Sequence, residues 1–444
     1  MSRVLFLPSP YITAPHPTPP SVSTQLGASG NKCPSDTARK VIIDMDSNID
    51  DVVAIAMAFK SANLKVVAVI VTATAFTSAG AGVSTTYKLL ELLGANNIDV
   101  GLGPLYSLLE SKGFPGGCMY QQAAPLQSRL DADTLNGVAD SMLALSPRTY
   151  FHINATAKMP SAEDVYKKAV DAGVDTVITL GSLTSLQKFK FKYPDSFAKM
   201  KHIIAMIGAF DVPGNLFSVP ANKVSEFNAY LDPQAAREVF GSASWETVKL
   251  VPLDATNEVP MTPSYMSMLE KATTPEGKFV HELTKRVRDT WHTGANGFYG
   301  LDKTGVSTPQ ALADAYFFWD PLAIMAVIDP TYVTWKTGIF EVVANATTPN
   351  FSVDGQTRIL LPNETGGRMI SWASGVTAAN GDRFRKDATT LLERACITDQ
   401  PPTMDAILEL RRKLVDTSMA ANVQPSVVLA TAAVFASMIY GRQA

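Results

Sequence analysis

Between residues 40 and 206, short β-branched apolar runs alternate with longer stretches whose apolar positions recur at helical spacing. The runs cover 40–44, 65–72, 174–180 and 202–206, and the helical patterns cover 50–63, 83–93 and 184–193. Alternation of this kind predicts strand–helix–strand crossover units: an α/β fold with a mostly parallel central sheet flanked by helices, an open sheet of the Rossmann-like type. Ligands of such sheets bind beyond the carboxyl ends of the strands, so the residues that follow each run are the ones to read for chemistry.

The pattern divides the chain into a Pro/Ser-rich N-terminal extension (1–39), a main domain (40–396) and a C-terminal helical extension (397–444). In the first segment Pro8, Pro10, Pro15, Pro17, Pro19 and Pro20 alternate with Ser and Thr and leave no core. Residues 119–160 are less periodic and read as an insertion or a long loop with short helices. Near the C-terminus, Met404, Ile407, Leu408, Leu414 and Val415 share one helical face. The apolar stretch 426–440 is shorter than the ~18–20 residues of a spanning helix, which predicts a buried terminal helix instead of a tail anchor.

Composition narrows the function classes. Over 444 residues, 46% hydrophobic and 18% charged residues exclude a disordered, collagen-like or coiled-coil chain. A net charge of −3 supplies no general reason to bind nucleic acid or an anionic membrane. Cys33, Cys118 and Cys396 are odd in number and far apart, which fits neither a disulfide framework nor a cysteine zinc site. A reducing, cytoplasmic setting is expected; the acid-poor, Ser-rich start with Arg3 leaves import into a mitochondrion or another organelle as the alternative. The sequons at Asn154, Asn345, Asn350 and Asn363 come without a signal peptide and read as incidental.

The densest chemistry follows the first run, where Asp44, Asp46, Asn48, Asp50 and Asp51 precede an apolar helix. Asp50 and Asp51 would suit the positive end of that helix. Capping does not account for Asp44 and Asp46, because like charges this close demand a cation or a proton between them. An EF-hand fails twice, with Ile49 at its glycine position and Ile55 at its glutamate position. A haloacid-dehalogenase-type phosphatase would use Asp44 as nucleophile and Asp46 as acid, but Asn48 stands where such enzymes carry threonine. That reading also needs a downstream lysine and a second acidic pair, which the sequence does not place.

The motif Asp46-x-Asn48-x-Asp50-Asp51 after a strand closely resembles the signature of the inosine-uridine nucleoside hydrolases, in its purine-preferring form. Four further segments agree in order and approximate spacing: Leu180-Gly-Ser-Leu-Thr184, Gly214-Asn215, Ser225-Glu226-Phe227-Asn228 and Trp319-Asp320-Pro321. The resemblance implies Ca²⁺ held by Asp46, Asp51, Asp320 and the Thr184 carbonyl, with Asp50 as the base that takes a proton from water. It further implies that Asn48, Asn215, Glu226 and Asn228 bind ribose hydroxyls, and that Trp319 stacks on a departing purine. The implied activity is N-ribohydrolysis of purine nucleosides, as in purine salvage. Asp44 is left unassigned, as a residue able to hold the metal ligands from behind. Taken singly, Asn215 fits a turn, and Glu226 with Asn228 fits the opening of a helix running on through 232–237; Trp319 also fits a packed aromatic run.

Two positions depart from the purine-preferring pattern. Ala75 replaces an aspartate that binds ribose, and Cys118 replaces a second stacking tryptophan; His292 has no secure counterpart. These departures predict a diminished pocket. They also support a second reading, a weak or inactive homologue retained as a structural or binding subunit. The expected state is a homo-oligomer, or in the second reading a subunit of a larger complex.

Overall fold

The computed structural model describes residues 34–72, 79–95, 97–104, 159–216, 221–292, 317–345 and 352–394. The expectations for residues 119–158, 404–415 and 426–440, and positions Ala75 and Cys118, lie outside the described residues.

The first apolar run forms β1 (Arg39–Met45), followed by α1 (Ile49–Lys60), β2 (Leu64–Val71), α2 (Ala79–Leu92) and β3 (Asp99–Leu102). The chain then resumes on the other side of β1 with α3 (Ala162–Asp171), β4 (Thr176–Thr179), α4 (Thr184–Lys192) and β5 (His202–Ala205). Next come α5 (Phe227–Leu231), α6 (Pro233–Phe240), β6 (Thr247–Leu250), α7 (Pro275–His292) and α8 (Trp319–Ile328). Strands β7 (Trp335–Val342), β8 (Thr357–Ile359) and β9 (Arg368–Ala373) precede α9 (Ala378–Leu392). The sheet order is β3-β2-β1-β4-β5-β6-β9-β7-β8, parallel from β3 to β9, with β7 antiparallel to both β9 and β8. The expected mostly parallel α/β sheet is therefore present.

β1 is buried on both faces. Val41, Ile43 and Met45 join one core with α1, α8 and α9, while Ile42 joins the other with α3, α4 and α6. One local expectation is corrected: residues 226–237 do not form one helix. Pro233 disfavours helical backbone at the residue before it; Asp232, at φ −149° and ψ 77°, ends α5 and caps α6.

Strand order reverses between β1 and β4, and a crevice opens at such a switch point beyond the carboxyl ends of the strands. A buried polar cluster joins these ends. The Tyr166 hydroxyl on α3 donates to Asp44 Oδ2 at 2.6 Å and the Thr72 hydroxyl donates to Asp44 Oδ1 at 2.5 Å. Thr72 has one proton and gives it to Asp44, so Ser185 on α4 donates to Thr72 across 2.5 Å. The Asp44 carbonyl accepts the Leu180 amide at 2.7 Å. Asp44 thus ties the ends of β1, β2 and β4 to α3 and α4. Gly103 stands beside it because a Cβ there would lie 2.3 Å from Ser185 Oγ.

Between β1 and α1, Ser47 is buried and adopts left-handed backbone at φ +64°. Its hydroxyl donates to the Gly82 carbonyl at 3.5 Å and lies 3.9 Å from Met45 Sδ.

Two stability measurements follow. Tyr166→Phe preserves the ring that stacks on Phe189 at 5.0 Å and removes only the hydroxyl. It should lower the unfolding free energy by ~1–3 kcal/mol, the cost of stripping one donor from a buried carboxylate; an unchanged denaturant midpoint would refute the cluster's role. Ser47→Gly should raise stability by ~1 kcal/mol by relieving left-handed backbone. A lower midpoint in that variant would show that the Ser47 hydroxyl outweighs the strain.

Candidate active site

The acidic loop is a helix cap and a charge cluster together. Asn48 caps α1, its Oδ1 accepting the Ile49 amide at 2.7 Å, while its own amide donates to Asp51 Oδ2 at 2.8 Å. The second Asp51 oxygen, Oδ1, is buried and has no hydrogen-bond partner among the described residues. One oxygen is fixed by the helix start and the other is left aimed at its acidic neighbours. Asp50 Oδ2 accepts the Asp320 amide at 3.3 Å, which links α1 to the first turn of α8. Asp50, Asp51 and Asp320 each bring a carboxylate oxygen within 4.8 Å of the others.

All these acids are buried, and Asp46 acts on them electrostatically. Burial first, then repulsion from Asp320, Asp46 and Asp50, raises the Asp51 carboxyl well above its usual range. Burial first, then Asp50 and Asp46, does the same to Asp320. Hard, converging carboxylate oxygens, one of them an orphan, fit a divalent cation: the ion would complete Asp51 and neutralise the repulsion. Of the expected side-chain ligands, Asp51 and Asp320 belong to this set, while Asp46 acts on both electrostatically and Asp50 stands in the set beside them.

The turn after β4 closes on this loop. A Cβ at Gly181 would lie 3.0 Å from Asp46 Cβ and 3.1 Å from its nitrogen, so this position admits little beyond glycine. Thr184 opens α4 and is buried, its hydroxyl donating to Asp232 Oδ2 at 2.8 Å. Its carbonyl is the fourth expected ligand.

The expected sugar-binding residues are wired into the backbone. Glu226 caps α5 with Oε1 accepting the Asn228 amide at 2.8 Å and Oε2 accepting the Gly208 and Ala229 amides at 3.1 Å. Burial pushes its carboxyl up to about 7 against those bonds, with a further contribution from Asp46. Asn228 Nδ2 donates to the Leu180 and Met206 carbonyls, each at 3.1 Å, which joins the ends of β4 and β5. Asn215 Oδ1 accepts the Phe227 amide at 2.8 Å. Capping and turn formation are therefore real roles of these residues, and they also gather Glu226 and Asn228 at the strand ends beside Asp46. Trp319 is half-buried at the start of α8, tilted 53° to the Phe317 ring with centroids 5.6 Å apart.

Several supporting residues were not singled out as site residues from sequence: Thr72, Tyr166, Ser185, Asp232 and Asp254. Asp254 accepts the Phe210 and Asp211 amides at 2.9 and 2.8 Å and holds the loop after β5. Thr72 and Asp254 each follow a strand closely, the one signal that marks them.

The sequence profile described as inosine-uridine preferring nucleoside hydrolase matches residues 41–407. Nucleoside hydrolase 3 of Arabidopsis thaliana is 32% identical over 278 residues, covering 56% of this chain and 31% of that protein. Nucleoside hydrolase 4 of the same plant is 32% identical over 277 residues, covering 56% and 49%. The chain thus spans half or less of the length of these two curated relatives. Probable uridine nucleosidase 2 of Oryza sativa subsp. japonica is 29% identical over 317 residues, covering 70% of this chain and 80% of its own. A solved plant nucleoside hydrolase, the PpNRh1 enzyme, superposes with a TM-score of 0.59 at 25% identity, covering 81% of this chain and 99% of that one. With most of its length matched by the family profile and the acidic loop at the sheet's switch point, this chain belongs to the inosine-uridine preferring nucleoside hydrolase family.

Proposed function

We propose that the protein is a calcium-dependent N-ribohydrolase that cleaves purine ribonucleosides to free base and ribose. The observation that carries this reading is the buried set of Asp50, Asp51 and Asp320, with the orphaned Asp51 oxygen, at the switch point of a nucleoside hydrolase fold.

Bound Ca²⁺ would supply the positive charge that acidifies a water and attracts sugar hydroxyls. Asp46, Asp51, Asp320 and the Thr184 carbonyl are the residues that would hold it. Asp50 takes the proton as the water oxygen bonds to the anomeric carbon. The N-glycosidic bond breaks with its electron pair going to the nucleobase, which takes up a proton from solvent as it leaves, and the positive charge that develops on the sugar is stabilised by the surrounding carboxylates. Asn48, Asn215, Glu226 and Asn228 orient the ribose. Among the described residues, no group bonds the Asn215 amide nitrogen or the Asn228 amide oxygen, which leaves both for hydroxyls. Trp319, beside Asp320 and partly exposed, could offer a face to a flat purine.

Relatives named as uridine nucleosidases make pyrimidines the necessary comparison. Ribose release should be seen from inosine in preference to uridine and should stop on chelation. Cleavage favouring uridine would move the assignment to pyrimidines, and calcium binding without release from any nucleoside would favour a binding subunit. Asp50→Ala should lower kcat by ~10²–10⁴-fold with the calcium dissociation constant little changed. Full turnover in that variant would place the base elsewhere.

The same charges predict a pH signature. Asp44 and Glu226 are pushed up to about 7, largely by burial, and Asp51 and Asp320 are raised also. The folded state therefore binds more protons than the unfolded one between the ordinary carboxylate range and about pH 7. In chelator, the unfolding midpoint should fall as pH rises through that window, and calcium should flatten the slope. A pH-independent midpoint in chelator would contradict the burial of these acids.

A further inference from the structure

The antiparallel end of the sheet lies beyond the metal-loop strands in both sequence and strand order, yet it grips the segment that carries Asn215, Glu226 and Asn228. Thr357 opens β8 and is buried; its hydroxyl accepts the Ala209 amide at 2.9 Å and donates to the Ala209 carbonyl at 3.0 Å. A single side chain thereby satisfies both backbone groups of one loop residue. Next to it, Gly208 sits at φ +97°, and a Cβ there would lie 2.9 Å from Thr357 Oγ1. The Gly208 amide donates to Glu226 Oε2. Thr357 is therefore one residue and one hydrogen bond away from the Glu226 carboxylate.

The turn before β8 repeats the contact. The Ser225 hydroxyl and the Asn222 amide donate to the Asp354 carbonyl at 2.9 and 3.1 Å, and Ser225 pairs with Gln356 as an isolated antiparallel bridge. Gly355, at φ +87°, lies so close to α5 that a Cβ would meet Tyr230 Cα at 2.6 Å. Residues 354–357 thus form a brace behind the start of α5. The acidic loop is held by other elements, β1, α1, α8 and the turn after β4, and meets the braced segment at Asn228.

We propose that Thr357 is a positioning residue for sugar binding: it fixes the Gly208–Ala209 backbone and through it the Glu226 carboxylate, setting nucleoside affinity independently of the cation. This rests on the reading of Glu226 and its neighbours as ribose-binding groups.

Thr357→Val keeps the shape and removes both hydrogen bonds, leaving the Ala209 amide and carbonyl unpaired. In the full-length, calcium-saturated protein it should raise the KM for inosine and the dissociation constant of ribose by about five- to thirtyfold. The kcat at saturation and the calcium dissociation constant, measured by titration calorimetry, should stay within about twofold on the same reasoning. Thr357→Ser restores the hydroxyl and should recover most of the affinity. Should the valine variant not fold, Ser225→Ala, which cuts one tie to Asp354, should shift KM in the same direction by a smaller factor. An unchanged KM, a parallel fall in calcium affinity and kcat, or no rescue by serine would overturn the proposal. A wild-type protein that binds calcium but neither ribose nor nucleoside would overturn the sugar-site reading itself, and this proposal with it.

Discussion

Mutual repulsion among Asp46, Asp50, Asp51 and Asp320 is the constraint around which the rest of the site is arranged. Four carboxylates from two helix starts and one loop share a buried space, and burial and neighbouring charge both raise the cost of ionising Asp51 and Asp320. Such a cluster persists only where its backbone is held from several directions. Here β1 is central in the sheet and buried on both faces, Asn48 and Asp51 lock the start of α1, and the Asp320 amide on α8 binds Asp50. The Asp44 cluster anchors the strand end just before the loop.

Backbone and ligand chemistry share atoms throughout the site. Asp51 spends one oxygen on a cap and keeps the other; Asn215 uses its oxygen and keeps its nitrogen; Asn228 does the reverse. A reading that sets capping against function would misjudge each of them. The fold uses the cap to orient the side chain, so the remaining polar atom points to a place fixed by secondary structure.

This division also explains what the sequence disclosed. The acidic loop was legible because all its charges lie within one turn that follows an uninterrupted apolar strand. The sheet was legible through the β-branched runs of β1, β2, β4 and β5. β3 was obscure because it is four residues long and includes Gly101, whose missing Cβ admits Ala162. The split of α5 from α6 was decided by Pro233, a local signal that the helical pattern of the flanking residues overrode. The brace had no local signature: Thr357 and Ala209 are 148 residues apart, and a threonine opening a short edge strand looks like any other. Long-range hydrogen bonds of this sort leave no periodicity to read.

The separate anchoring of the two halves of the site bears on how such a chain can diverge. The acidic loop follows β1 in the parallel part of the sheet, and the segment around Glu226 is braced from the antiparallel edge as well as tied to the ends of β4 and β5 through Asn228. Substitutions in the edge strands would act first on the segment around Glu226 that they brace, and less directly on the acidic centre. A chain built on this plan can change at its edge without losing the frame that holds the acidic centre. The sheet's central strands are where such drift would be least tolerated.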